Sequence, residues 1–305
     1  MRILFMGTPE FAVASLRALV EAGHEICGVF TQPDKPKNRG HKLAFSPVKE
    51  YALTQDLPVY QPVRARDEEV LELVRSLQPQ LIVAAAYGQL LPEALLKTPE
   101  LGSINVHSSL LPKYRGAAPI NRAILDGETE TGVSIMEMVK ELDAGDVIVQ
   151  RSTPIGPREN AQTLTARLAE LGAQALLEAV DALAAGTAVR TPQGSEWTYA
   201  AMLSREMSPV DWSRSAHEIS CQVRGLIPWP CATTEIIHGA PMKLYDVEET
   251  GETTAAQPGT ILAAGKAGID VACGGGTVLR ITELQAQGSK RMAASAYLLG
   301  HPIKL

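Results

Sequence analysis

Asn105 and His107 stand two residues apart at the end of a short apolar run, and Asp143 lies later in the chain, just before Ala144-Gly145. A carboxamide can donate to an oxygen that is gaining negative charge. An imidazole does the same once protonated. A carboxylate beside it favours the charged ring and can take up a departing proton. Together the three suit acyl transfer to an amine, in which the amine itself attacks and neither serine nor cysteine is needed as a nucleophile.

For this chemistry the three groups must converge. Residues two apart in a strand share a face. A strand over Ser103–His107 therefore projects Asn105 and His107 together and turns Ile104 and Val106 the other way, into packing. His107 then closes the carboxyl end of that strand, the edge where open α/β sheets bind ligands. Asp143, on an Asp-Ala-Gly stretch that reads as a turn, can reach the imidazole from a neighbouring strand.

The surrounding sequence supplies the scaffold. Arg2–Met6 reads as a buried strand that runs into Thr8 as a helix cap and Pro9 as the first helical residue, with Gly23 as the stop. Glu25–Thr31, Leu81–Ala86, Ser103–His107 and Gly132–Met138 read as further strands, and Asp146–Thr153 as an edge strand. Asp67–Leu77, Pro119–Leu125 and a long stretch from the cap Asn160 through Leu183 read as helices. This alternation predicts an α/β domain over residues 1–188, a Rossmann-like open, mostly parallel sheet with helices on both faces. Residues 189–207 lack periodicity and contain Pro192 and Gly194, so they read as a linker. Residues 208–305 hold one helical pattern, Ser213–Gly225, followed by short β-prone runs with frequent glycine. That spacing predicts a smaller β-barrel domain.

Charge and cysteine usage exclude several classes. The net charge is −6, which argues against nucleic-acid binding through the whole surface. One segment departs from it: Thr31–Glu50 holds Lys35, Lys37, Arg39, Lys42 and Lys49 against Asp34 and Glu50. With Pro33, Pro36, Gly40 and Pro47 it reads as a long irregular loop, suited to clamping phosphates. Cys27, Cys221, Cys231 and Cys273 are scattered, with no C-x-x-C or H-E-x-x-H, so no metal is expected and the thiols read as buried in a reducing compartment. The start, "MRILFMGTPEF", does not read as a signal peptide, and no run of about twenty apolar residues offers a membrane span. A cytoplasmic monomer is the expectation. "GTPEF" lacks the G-x-G-x-x-G of a dinucleotide site, which disfavours a nicotinamide-linked oxidoreductase.

"NVHSSLLPKYRGAAPINRAI" together with "ELDAGDVI" resembles the 10-formyltetrahydrofolate-dependent formyltransferases. "MRILFMGTPEFAVASL", "TQPDKPKNRGHKL", "AAAYGQLLP", "SPVDWS" and "VRGLIPWPCATT" resemble, in order and along nearly all of the chain, the branch of that family whose acceptor is initiator methionyl-tRNA. The resemblance implies that Asn105, His107 and Asp143 are catalytic. It implies that Ser109, Leu110, Leu111 and Pro112 bind the folate, and that Gln89, Leu90 and Leu91 hold its pterin through backbone groups. It implies that Lys37, Arg39 and Lys42 meet the tRNA, with 10-formyltetrahydrofolate as formyl donor and no metal. It also implies an oligonucleotide-binding-type (OB-like) barrel at the C-terminus. From Ser208 onward, eight Lys/Arg against nine Asp/Glu would not by themselves mark an RNA binder. Two alternatives stay open: the same transfer to a nucleotide sugar or to glycinamide ribonucleotide, and a non-catalytic RNA-binding protein on the same scaffold.

Overall fold

The computed structural model describes residues 1–37 and 42–304. The chain divides into two compact units that interleave in sequence. The first takes Met1–Gly116, Thr131–Thr153 and Thr165–Ala200; the second takes Ala117–Glu130, Pro154–Leu164 and the chain from Ala201 onward.

In the first unit, β1 (Arg2–Gly7) is an apolar run buried beyond its first residue, as a strand covered on both faces must be. The helix α1 (Glu10–Glu21) begins one residue later than expected. Pro9 occupies the capping position, and the Thr8 hydroxyl donates instead to the Tyr87 carbonyl at 3.0 Å. Gly23 ends the helix at φ +79°, a left-handed turn open to glycine at little cost. There follow β2 (Glu25–Phe30), β3 (Lys35–Lys37), β4 (Lys42–Ala44), α2 (Pro47–Thr54), β5 (Val59–Tyr60), α3 (Glu68–Leu77), β6 (Leu81–Ala85), α4 (Glu93–Leu96), β7 (Ser103–His107) and β8 (Arg115–Gly116). Further along the chain come α5 (Pro119–Leu125), which belongs to the second unit, and then β9 (Glu130–Glu137), β10 (Val147–Pro154), α6 (Ala161–Ala184) and β11 (Tyr199–Ala200).

The described residues of Thr31–Glu50 are more regular than its prolines suggest. Strands β3 and β4 pair antiparallel, with Pro36 opposite Leu43 in a two-stranded ladder where a missing N–H is tolerated. Pro47 sits in the first turn of α2, behind the cap formed when Ser46 Oγ accepts from the Lys49 N–H at 3.1 Å.

The main sheet has the order β10-β9-β7-β6-β1-β2-β5. β1, β2, β5, β6 and β7 run parallel, and β9 runs antiparallel to β7. Because β1 lies between β2 and β6, the chain crosses from one side of β1 to the other. The loops after β1 and β6 therefore open a crevice at the carboxyl edge. Thr8 and Gln32 tie that edge together by donating to one carbonyl, that of Tyr87, at 3.0 and 3.2 Å.

The second unit contains α5 and then α7 (Ala216–Gly225), β12 (Ala232–Thr234), β13 (Met242–Thr253), β14 (Ile261–Gly265), β15 (Gly268–Ala272), β16 (Thr277–Ala286), β17 (Met292–Ala293) and α8 (Ala294–Gly300). Ser215 and Glu218 form a reciprocal capping box that fixes the start of α7. The strands form an antiparallel sheet in the order β12-β13-β16-β15-β14 around Trp212, Ile219, Val223, Leu244 and Ile281. The fold class is thus the expected one, a mostly parallel α/β sheet followed by an antiparallel β domain. No helix among the described residues is long and apolar enough to cross a membrane. All four cysteines are free and buried.

Candidate functional site

Strand β7 presents the first two groups. It is laddered on both sides, with Asn105 opposite Ala84 of β6 and Met136 of β9, and His107 opposite Ser134. Ile104 and Val106 are 1% and 3% exposed, so the alternate face is core, as the period of two requires. The half-buried Asn105 carboxamide has no hydrogen-bond partner among the described residues. His107 is buried, with Nε2 2.9 Å from the Tyr114 carbonyl oxygen. A carbonyl can only accept, so Nε2 carries the proton and donates it there. Nδ1 is then the edge available for proton transfer, and it faces Asp143 Oδ2 at 3.7 Å. That gap is longer than a hydrogen bond, so the two groups face one another without being joined.

Asp143 is held by its surroundings. Its Oδ2 accepts from the Gly116 N–H at 2.8 Å. Its backbone is left-handed at φ +48°, an uncommon state for a residue with a side chain. Gln193 Nε2 donates to the carbonyls of Asp143 and Gly145 at 2.9 and 2.7 Å. Sequence reasoning brought Asn105, His107 and Asp143 to one place, and the coordinates put His107 and Asp143 face to face. Gly116, Tyr114 and Gln193 were missed as their supports. Nothing in an aperiodic stretch such as Thr191–Pro192–Gln193 signals a side-chain clamp.

The segment after β7 is organised by one hydroxyl. Ser134 Oγ donates to the Ser109 carbonyl at 2.7 Å and accepts from the Leu111 N–H at 3.1 Å and from Gln150 Nε2 at 2.9 Å. Ser109 closes the turn by donating to the Lys113 carbonyl at 2.7 Å, and Gln150 also donates to the Leu111 carbonyl at 3.0 Å. Ser109 and Leu111 are buried in this network, while Leu110 and Pro112 remain half-buried.

Gln89, Leu90 and Leu91 lie beyond the carboxyl end of β6. The Gln89 side chain is occupied structurally: Oε1 accepts from the Ala65 N–H at 2.7 Å and Nε2 donates to the Pro62 carbonyl at 3.0 Å. Leu91 packs on the cluster of Tyr87 and Leu95. Leu90 is 82% exposed, so core packing does not account for it. Tyr87 itself is buried, and desolvation pushes its phenol up to about 12, so it stays neutral. A cavity of about 600 Å³, bordered by Leu96, Gly102, Ser103, Glu137 and Met138, lies at the amino end of β7, away from His107. It takes no part in this constellation.

Of the basic residues singled out, Lys37 and Lys42 are cross-strand partners in the β3–β4 ladder, and Arg39 lies outside the described residues. Lys49, counted with them in the sequence, spends its charge on Asp34 at 2.5 Å.

Comparison with known proteins adds the following. Residues 1–180 match the model of the formyl transferase family, and residues 202–302 match that of the formyl transferase C-terminal domain. The methionyl-tRNA formyltransferase of Trichlorobacter lovleyi is 50% identical over 305 residues, 100% of this chain and 95% of that protein. The protein of the same name from Geobacter sulfurreducens is 50% identical over 301 residues, 98% of this chain and 94% of its own length. Among solved structures, the N-formyltransferase of Helicobacter canadensis in complex with folinic acid and dTDP-3-aminofucose superposes with a TM-score of 0.69 at 18% identity. That match covers 92% of this chain and 98% of the other. HypX of Aquifex aeolicus in complex with tetrahydrofolic acid gives 0.64 at 21% identity, covering 98% of this chain and 47% of its own. These structural likenesses concern the fold.

Proposed function

The chain belongs to the formyl transferase family, and from that premise we propose a reading of its site. The protein transfers the formyl group of 10-formyltetrahydrofolate to the α-amine of methionine esterified to initiator tRNA. The observation that carries this is likeness to methionyl-tRNA formyltransferases along both units, at about half identity. The folate supplies an activated formyl carbon when bound. The exposed Leu90 and half-buried Leu110 and Pro112 offer apolar faces beside the strand edge, which fits a flat heteroaromatic ring.

The chain's own groups then divide the work. The unpartnered Asn105 carboxamide donates to the formyl oxygen as the amine adds and negative charge gathers there. His107, its Nε2 pinned by Tyr114, offers Nδ1 to the same reaction zone. Asp143 faces that nitrogen and accepts the proton shed by the attacking amine, directly or through water. Once the new C–N bond has formed, the carbonyl re-forms as the bond from the formyl carbon to the folate nitrogen breaks, and that nitrogen takes up the proton that the amine shed. Lys37, Arg39 and Lys42 fit a phosphate-contacting role toward the tRNA, and Ser109–Pro112 with Gln89–Leu91 the folate-contacting role. Residues 1–188 would carry the chemistry and 208–305 the tRNA contact, with 189–207 joining them and its first part seated against the Asp143 turn. We take a cytoplasmic monomer as the working state, in keeping with four free, buried thiols.

The direct test is formyl transfer from 10-formyltetrahydrofolate to charged initiator tRNA, beside an amino sugar nucleotide and glycinamide ribonucleotide. Product on the tRNA alone is expected. Product on a small acceptor with none on tRNA refutes the assignment. A second expectation concerns Ser134→Ala. It strands the Leu111 N–H and the Ser109 carbonyl, which costs about 1–3 kcal/mol. The KM for the folate should rise about tenfold or more, with the tRNA KM little changed. Steady-state kinetics decide it, and an unmoved folate KM removes Ser109–Pro112 from the folate site.

A further inference from the structure

Residues 191–200 have no periodicity in sequence, yet defined bonds seat them against the turn that carries Asp143. Thr191 exchanges both backbone hydrogen bonds with Val147, each 2.9 Å. Further on, Thr198 accepts from the Tyr114 N–H through its hydroxyl at 2.8 Å and from the Arg115 N–H through its carbonyl at 2.9 Å. Strand β11 then pairs in parallel with β8. Between these anchors stands Gln193. Its Nε2 donates to the carbonyls of Asp143 and Gly145 at 2.9 and 2.7 Å. Its Oε1 accepts from Arg115 Nε and Nη2 at 3.0 and 2.7 Å. Both amide hydrogens and both oxygen lone pairs are thus in use.

The backbone it grips is strained. A left-handed Asp143 at φ +48° persists only where neighbours impose it. Gly116 fixes the carboxylate, and Gln193 fixes the main chain to which that carboxylate is attached. We propose that Gln193 is a positioning residue for formyl transfer: it clamps the Asp143–Gly145 turn so that the Asp143 carboxylate faces His107 Nδ1. This rests on the reading of Asp143 given above.

The test is a double-mutant cycle in the full-length protein with charged initiator tRNA. Gln193→Leu keeps the bulk and removes every polar contact. Gln193→Glu keeps the acceptor for Arg115 and loses the donor to the two carbonyls. Both variants are expected to lower kcat about 10–10²-fold, the scale of a roughly 1 Å misplacement, with both KM values within twofold of the parent. The pH dependence of kcat should take the shape seen for Asp143→Asn. In an Asp143→Asn background the same Gln193 changes should cost almost nothing further, because the group they act through is already disabled. Equal losses in the two backgrounds, restored kcat in Gln193→Glu, or kcat within twofold of the parent in both variants would overturn the positioning role and leave the Asp143 reading intact. A fully active Asp143→Asn would instead refute that reading.

Discussion

His107→Ala is expected to lower kcat for formyl transfer by about 10²–10³-fold, the usual cost of losing one donor to a developing oxyanion. Asn105→Ala should fall in the same range. The two losses have different structural companions. Asn105 gives up a carboxamide that no described residue engages, so its removal should leave folding untouched. His107 gives up its hydrogen bond to the Tyr114 carbonyl as well, and one lost hydrogen bond costs about 0.5–1.5 kcal/mol. Strand β7 is laddered to β6 and β9, so its backbone should survive either change. The expected pattern is therefore a large fall in kcat for both variants, with a small fall in unfolding midpoint for His107→Ala alone. Turnover at parental rate by either variant, with charged initiator tRNA as acceptor, would remove that residue from the catalytic set.

Why these residues could be found before any coordinates, and their supports could not, follows from the kind of pattern each leaves. A strand enforces a period of two. Asn105 and His107 against Ile104 and Val106 are therefore legible as two faces from the sequence. The buried runs Arg2–Gly7 and Leu81–Ala85 are legible for the same reason, since continuous apolarity is what a central parallel strand requires. The Thr8 cap was misplaced because its hydroxyl had a better partner in Tyr87, a residue far along the chain. Thr31–Glu50 reads as irregular because a proline's effect depends on its place, and Pro36 stands opposite Leu43 in a short ladder while Pro47 sits in the first turn of α2. Ser134 and Gln193 left no trace at all. Ser134 looks like any serine in a strand, and its importance arises only when the turn after β7 folds over it. Gln193 acts on the Asp143 turn across fifty residues of chain through an amide nitrogen whose two partners are main-chain carbonyls. Main-chain partners carry no residue identity, so a single sequence cannot point to them.

Gly145→Ala is expected to impair catalysis more than a surface methyl group could. A Cβ built on Gly145 would lie 2.0 Å from the Glu137 carbonyl oxygen and 2.8 Å from its carbon, both backbone atoms that cannot rotate away. The contact is close because the Glu137 N–H donates to the Asp146 carbonyl at 2.9 Å, folding the turn back on the end of β9. One side must move. β9 is fixed by its ladder to β7, with Ile104 opposite Glu137, so the turn is the side that yields. That turn carries Asp143 two residues away, with its strained φ and its carboxylate bonded to the Gly116 N–H. Overpacking of this kind costs about 1–3 kcal/mol, and a shift of about 1 Å in the carboxylate costs on the order of 10² in rate. The variant should therefore unfold at lower urea and, assayed well below its transition, turn over about a hundredfold more slowly with nearly parental KM values. Parental turnover combined with a lowered midpoint would mean that the turn can shift without displacing the carboxylate. In that event, the facing of Asp143 and His107 would not be what limits the rate.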